Sequence, residues 1–255
     1  MKTNAKKVKV ALITGANRGL GLETARQLGG TGVHLVLGVR DLKRAASAIK
    51  LLKKEGIDAE AIRLDVASPA THARAFDYLK RHFGKLDILV NNAGIKLEGV
   101  TSLKKGPRPD HTSGLKMEVL RRTFDVNFFG TVALTQKLLP LIRKSPAGRI
   151  VNVSSILGSL GAHTDPKSPV YTRKSFAYDA SKTALNAFTV HLAYELKDTK
   201  IKVNSAHPGW VRTAMGGPEA DLDITEGVKT SVRLATLPDD GPTGGYFHLD
   251  KRLPW

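Results

Sequence analysis

Short apolar runs alternate with helix-length segments along nearly the whole chain, and this alternation restricts the fold more than any other feature of the sequence. The runs are KVALIT, VHLVLGV, DAEAIRLDV, LDILVNNAG, GRIVNVSS, IKVNSAHPG and GGYFHLD. Helical stretches start near Gly19, at Asp41 and after Ser68-Pro69, then run through Leu141 and from about Tyr178 to Leu196. Strands separated by helices are too far apart in the chain for tight hairpins and pair in parallel through crossovers. The predicted fold class is α/β, a doubly wound parallel sheet with helices on both faces. The runs are almost continuously apolar, as strands covered on both faces should be. Local punctuation agrees: Asp41 and Ser68 are N-cap types, Pro69 suits a first helical position, and Gly56 and Gly84 stand where helices should stop. With 255 residues, no repeat and no linker, residues 1–255 are expected to form a single domain.

Composition then removes several classes of function. There is no cysteine, and the eight histidines show no HxH or HxxxH pairing, so no metal site is expected. No apolar run is long enough to cross a bilayer, so no membrane partner is expected. The basic opening MKTNAKKVK leads into a strand-like run, without the apolar stretch and cleavage site of a signal peptide. A cytoplasmic location is therefore expected. The net charge of +17 raises the question of nucleic acid. The basic residues, however, are spread over polar helix faces such as DLKRAASAIKLLKKEG, with no aromatic-interleaved basic run, and no nucleic-acid partner is predicted.

The stretch ITGANRGLGLETARQL places Gly15, Gly19 and Gly21 between the first strand and the first helix. A strand entering a helix through glycines presents free backbone N–H groups and the positive end of a helix dipole, which together suit a phosphate. The spacing is G-x-x-x-G-x-G, distinct from the G-x-G-x-x-G of the common Rossmann fingerprint, and a ligand-free glycine turn stays open at this point. In Rossmann-like folds an acid near the end of the second strand holds the ribose 2′-hydroxyl, whereas arginine accommodates a 2′-phosphate. Here that strand ends VLGVRD: Val39 stands at the acid's position and Arg40 comes next. Arg18 and Arg40 can converge on one additional phosphate, which predicts NADP(H) over NAD(H). Asp41 would oppose that reading unless it caps the next helix.

Tyr178 and Lys182, in YDASK, lie four positions apart on one face of a predicted helix. The pair alone fits a surface contact or a shared site. In order along the chain, TGANRGLG, NNAG at Asn91 to Gly94, VNVSS and YDASK together resemble the short-chain dehydrogenase/reductase family, in its carbonyl-reductase-like branch.

The resemblance implies an NADPH-dependent carbonyl reductase that transfers the pro-S hydride to a ketone or aldehyde. It implies Tyr178 as general acid, its proton made mobile by the Lys182 ammonium and the nicotinamide charge, and Lys182 as holder of the nicotinamide ribose. Ser155, with Ser154 as its rival, would donate to the substrate oxygen. Asn127, in FDVNFFG, would hold a relay water, unless it only satisfies a kinked helix. The cofactor set implied runs through Gly15, Asn17, Arg18, Gly19, Leu20 and Gly21 of the glycine loop, then Arg40, then Asp65 and Val66 near the adenine. Asn91, Ala93 and Gly94 would line the ribose side, and Pro208, Gly209, Val211 and Thr213, in HPGWVRT, the carboxamide or diphosphate side. His207 is read as a strand-end residue. Loops about 97–114, 161–177 and 210–224 would wall the substrate pocket. Tyr178 lies 23 positions beyond Ser155, more than is usual for the family, and this insertion points to a monomer or homodimer in place of the usual tetramer. Alcohol oxidation is the alternative direction, and a non-catalytic NADP-binding protein a more distant one. A serine hydrolase is disfavoured because no G-x-S-x-G elbow is present.

Overall fold

The computed structural model describes residues 8–98 and 112–255. An eight-stranded sheet runs through the molecule in the order β3-β2-β1-β4-β5-β6-β7-β8. Its strands are β1 (Val10–Thr14), β2 (His34–Val39), β3 (Ala59–Arg63), β4 (Ile88–Asn91), β5 (Arg149–Val153), β6 (Lys202–Ala206), β7 (Tyr246–His248) and β8 (Lys251–Arg252). All neighbours pair in parallel except β7 and β8, whose antiparallel pairing (Phe247 opposite Arg252) forms a short hairpin end absent from the sequence expectation.

Side-chain alternation along the strands divides the core in two. Ile13, Leu35, Leu37, Val90 and Val151 pack on one face, beneath α1 (Gly19–Gly29), α2 (Leu42–Lys54) and α9 (Lys229–Ala235). Leu12, Val36, Leu89, Ile150 and Val203 pack on the other, beneath α3 (Pro69–His82), α5 (Gly130–Ile142) and α7 (Phe176–Glu195). Each such side chain taken out of water contributes about 1.5–3 kcal/mol, so the central strands are held firmly in register. The remaining helices are α4 (Met117–Phe124), α6 (Leu160–Thr164) inside the insertion, and α8 (Ile224–Gly227). Neither α8 nor α9 was expected from the sequence, because both are short and come after an irregular stretch with little apolar periodicity. Asp41 caps α2 by accepting from the Lys43 N–H at 2.9 Å. Ser68 stands at the N-cap of α3 without a side-chain capping bond, and the Thr71 hydroxyl ties the preceding turn by accepting from Asp65 N at 3.1 Å and donating to the Asp65 carbonyl at 2.8 Å.

From β1 the chain winds outward to β2 and β3, then returns to β4 on the opposite side. Strand order thus reverses between β1 and β4, and their carboxyl ends open onto the crevice where ligands bind in such sheets.

Candidate active site

Thr14, the last residue of β1, ties the two sides of that crevice together. Its hydroxyl accepts from the N–H groups of Asn92 (3.0 Å) and Ala93 (2.9 Å), while the Asn92 side chain donates to the Thr14 carbonyl at 2.8 Å. The glycine loop then passes so close that a Cβ on Gly21 would stand 2.5 Å from the Gly15 carbonyl oxygen and 2.6 Å from Asn92 Nδ2. Gly15 turns the chain with φ +66°, which favours glycine. Helix α1 begins immediately afterwards with no side-chain cap and no acid in its first turn. Its first N–H groups and its dipole face the crevice uncompensated, and a phosphate group fits there.

A cleft of about 1700 Å³ extends along the carboxyl edge of the sheet. Asn17, Arg18, Gly19, Leu20 and Gly21 line one end, together with Arg40 and, unforeseen from sequence, Arg44. The signal for Arg44 was available, since it lies one helical turn after the Asp41 cap and so faces the same way. Asp41 also borders the cleft, but its carboxylate is engaged by the Lys43 N–H and lies 3.5 Å from Arg44 Nε. The donor set at this end is therefore three arginines around an acid already engaged at its own helix, which fits an additional phosphate better than a ribose hydroxyl. Asp65 and Val66 line the neighbouring wall, with Asp65 Oδ1 accepting from Ala67 N at 3.1 Å. Pro208, Gly209, Val211 and Thr213 line the opposite lip, where the Thr213 hydroxyl accepts from Gly216 N at 3.0 Å and holds the turn.

Ala93 and Gly94 border the cleft, but Asn91 does not. Asn91 is buried within the sheet, donating to Thr135 Oγ1 (3.0 Å) and Asn152 Oδ1 (2.8 Å), and the expectation that it lines the ribose side is corrected. As the last residue of β4 its side chain is carried by the pleat into the core, and Asn92 turns toward the glycine loop instead.

At the far end of the cleft α7 presents Tyr178 and Lys182, one turn apart and both buried. Ser155 stands close enough to favour the Tyr178 phenolate, and Lys182 Nζ lies 5.7 Å from the Tyr178 ring centroid and donates to the Val153 carbonyl at 2.8 Å. Ser155 thus faces the tyrosine, whereas Ser154 is buried and its hydroxyl has no partner among the described residues. Burial acts on both members of the pair. It pushes the Tyr178 phenol up to about 12, against the Ser155 hydroxyl, which favours the phenolate, and the nearby Asp179 carboxylate adds to the rise. It pulls the Lys182 ammonium down to about 8. Burial of the phenolate, the largest cause, sets this upward direction within the chain, opposite in sense to the lowering expected from Lys182 together with the nicotinamide charge.

Asn127 does not line the cleft. It lies in a π-helical turn, Asp125–Phe129, between α4 and α5, where its side chain accepts from Ile95 N and donates to Ile95 O, both at 2.8 Å, and donates to Ser181 Oγ at 3.0 Å. Every polar atom of that amide is engaged with the framework, as in the kinked-helix alternative.

Three neighbours of the site were not anticipated. Glu98, 2% exposed, accepts from the N–H groups of Ala177 (2.9 Å) and Tyr178 (2.8 Å) and so anchors the start of α7 from the strand-end loop after β4. Asp179 accepts from Ser175 N at 2.8 Å, stands 3.4 Å from His163 Nε2, and burial pushes its carboxyl up to about 7. His207 Nδ1 accepts from Ile156 N at 3.2 Å, beside Ser155; burial, with His248 adjacent, pulls its imidazole down to about 3 and keeps it neutral. Of the expected substrate loop 97–114, residues 99–111 lie outside the described residues. Among the described residues no three His, Asp or Glu side chains gather as metal ligands, and no helix is long and apolar enough to cross a membrane.

A family model described as short chain dehydrogenase matches residues 9–222. The chain belongs to the short-chain dehydrogenase family. Within that family it is 34% identical to carbonyl reductase [NADPH] 1 of Mus musculus, covering 96% of this chain and 98% of the relative. It is 32% identical to salutaridine reductase of Papaver bracteatum, covering 94% of each. Among solved structures, the NADPH-bound carbonyl reductase from chicken fatty liver superposes with a TM-score of 0.82 at 25% identity, over 98% of this chain and 100% of that one. This short-chain dehydrogenase is thus an oxidoreductase, with a tyrosine, a lysine and a serine gathered at one end of its cleft.

Proposed function

We propose that the protein is an NADPH-dependent carbonyl reductase in which Tyr178 is the general acid. The observation that carries this reading is the single cleft that joins the glycine loop and three arginines at one end to Ser155, Tyr178 and Lys182 at the other. The relatives whose names specify NADPH and carbonyl reduction support it.

Arg18, Arg40 and Arg44 would hold the 2′-phosphate, the first turn of α1 the diphosphate, and Lys182, beside Gly94, the nicotinamide ribose. NADPH, when bound, supplies the hydride. The chain's own residues govern the oxygen end of the reaction. Ser155 orients the substrate oxygen by hydrogen bonding, and Tyr178 releases its phenolic proton to that oxygen as negative charge develops there. Lys182 then stabilises the phenolate, which the buried site would otherwise disfavour. Asn127 fixes the backbone of Ile95 and the hydroxyl of Ser181, keeping Gly94 and Lys182 opposed; a relay water would reach Lys182 from that side.

A phenol pushed up to about 12 keeps its proton at neutral pH and is poised to donate it. The protonated phenol is the form that carbonyl reduction uses, and alcohol oxidation would use the phenolate. NADPH consumption with a panel of aromatic, aliphatic and keto-ester carbonyls tests the proposal. Wild type and Ser154→Ala should turn over, while Tyr178→Phe and Ser155→Ala should lose most of the rate yet bind NADPH normally. Equal activity in wild type and Tyr178→Phe would remove the tyrosine from the mechanism.

A further inference from the structure

Beyond Tyr178 the cleft is bounded by two loops, one from the insertion and one after β6, and an arginine of the first meets a tryptophan of the second. The Arg173 guanidinium lies over the Trp210 ring, 4.7 Å from its centroid. The indole beneath it is itself fixed, its Nε1–H donating to the Gly216 carbonyl at 2.8 Å. A guanidinium held over an indole face keeps its N–H donors for other partners, a setting suited to recognition of an anion. Among the described residues no carboxylate pairs with Arg173. Lys174, next to it, is engaged with both the ring and the carbonyl of His163 at 3.0 and 2.9 Å. Lys96 lines the same cleft, with Nζ 5.8 Å from the Tyr178 ring centroid.

Among the described residues two acids stand in this region; Asp179 feels the charges of Lys96 and Lys174, but neither acid forms an ion pair with Arg173. Both oxygens of Glu98 accept backbone N–H groups of α7, and Asp179 is turned toward Ser175 and His163. The substrate end of the cleft therefore holds the Arg173 guanidinium on Trp210 and the Lys96 ammonium near the proton donor, against apolar walls from Val170, Trp210 and Met215. Such walls suit an aromatic or aliphatic body, and one planar fork among them favours a monoanionic carboxylate over a phosphate, whose second charge costs more to desolvate. A net charge of +17 would draw such an anion toward the protein.

We infer that the preferred substrates are ketones or aldehydes bearing a carboxylate on an apolar body, with the carboxylate held by Arg173 on Trp210 and assisted by Lys96. This deepens the proposed function and rests on its placement of the reacting carbonyl at Tyr178.

The test uses 4-acetylbenzoate and its methyl ester, two ketones that differ in the charge. Their dissociation constants are measured calorimetrically on the full chain saturated with NADP+, which fills the arginine-rich cofactor end, and their kcat/KM values with NADPH. A charge-assisted bidentate contact predicts that the acid binds roughly tenfold or more tighter than the ester. Arg173→Leu should bring the two to parity by weakening the acid alone, and Arg173→Lys should recover part of the preference. No preference for the acid in wild type, including no binding of either compound, overturns the inference. Equal weakening of acid and ester by Arg173→Leu also overturns it, since Arg173 would then only brace the two loops. Arg173-dependent binding of the acid without reduction of either ketone would uphold the anion site and instead refute the proposed reductase.

Discussion

At the scale of single residues, cofactor choice turns on the position after Val39. Val39 is buried in the core and contributes no polar group, so the first side chain at the end of β2 to reach the cleft is Arg40, with Arg18 and Arg44 beside it. Charge-assisted contacts of this kind contribute about 1.5–3 kcal/mol each. Arg40→Asp is accordingly expected to weaken NADPH by roughly 10–100-fold while changing NADH by less than about threefold, as read from cofactor fluorescence titrations. Equal shifts for both cofactors would place the additional phosphate elsewhere. Arg18 and Arg40 were legible in the sequence because loop and strand end are fixed by their motifs. Asn91 was misplaced because a motif gives a residue's position along the chain, and the strand's pleat decides which way its side chain points. The direction of the Tyr178 shift was equally invisible, since it depends on how completely α7 is covered.

At the scale of elements, α7 carries Tyr178 and Lys182 and is anchored from outside its own sequence. The Glu98 carboxylate meets two N–H groups at its first turn, one of them belonging to Tyr178, where an anion also complements the helix dipole. Glu98→Gln removes that charge and turns one oxygen into an amide that cannot accept. Melting temperature is expected to fall by about 4–8 °C and kcat by about tenfold, with NADPH affinity unchanged. A lower melting temperature with unaltered kcat would make Glu98 a stabilising residue without influence on Tyr178. Nothing in the local sequence announces this anchor, because Glu98 and Tyr178 are 80 positions apart. Most strands and long helices were legible from apolar periodicity and end signals. The short α8, α9 and β8 were not, since their positions are set by packing against the sheet edge.

At the scale of the whole molecule, the crossover at β1 and β4 brings residues from opposite halves of the sequence to one edge of the sheet. The glycine loop comes from the first strand, the serine lies just past β5, and the lips of the cleft come from the insertion and from the segment after β6. The alternation of strands and helices made this topology legible, and the topology makes the site. The +17 charge has no single structural locus; it lies over many helix faces, among them the Lys53 and Lys54 end of α2 and the Lys80 to His82 end of α3. Carbonyl reduction in this cleft requires that hydride pass from NADPH to a carbonyl carbon while the chain supplies the proton. The most direct measurement is mass spectrometry of the alcohol formed from a ketone that the enzyme reduces, using NADPH deuterated at both C4 positions of the nicotinamide. One deuterium on the carbinol carbon, lost together with turnover in Tyr178→Phe, is the predicted result. An alcohol carrying no deuterium would contradict direct hydride transfer from the nicotinamide and with it the reductase assignment.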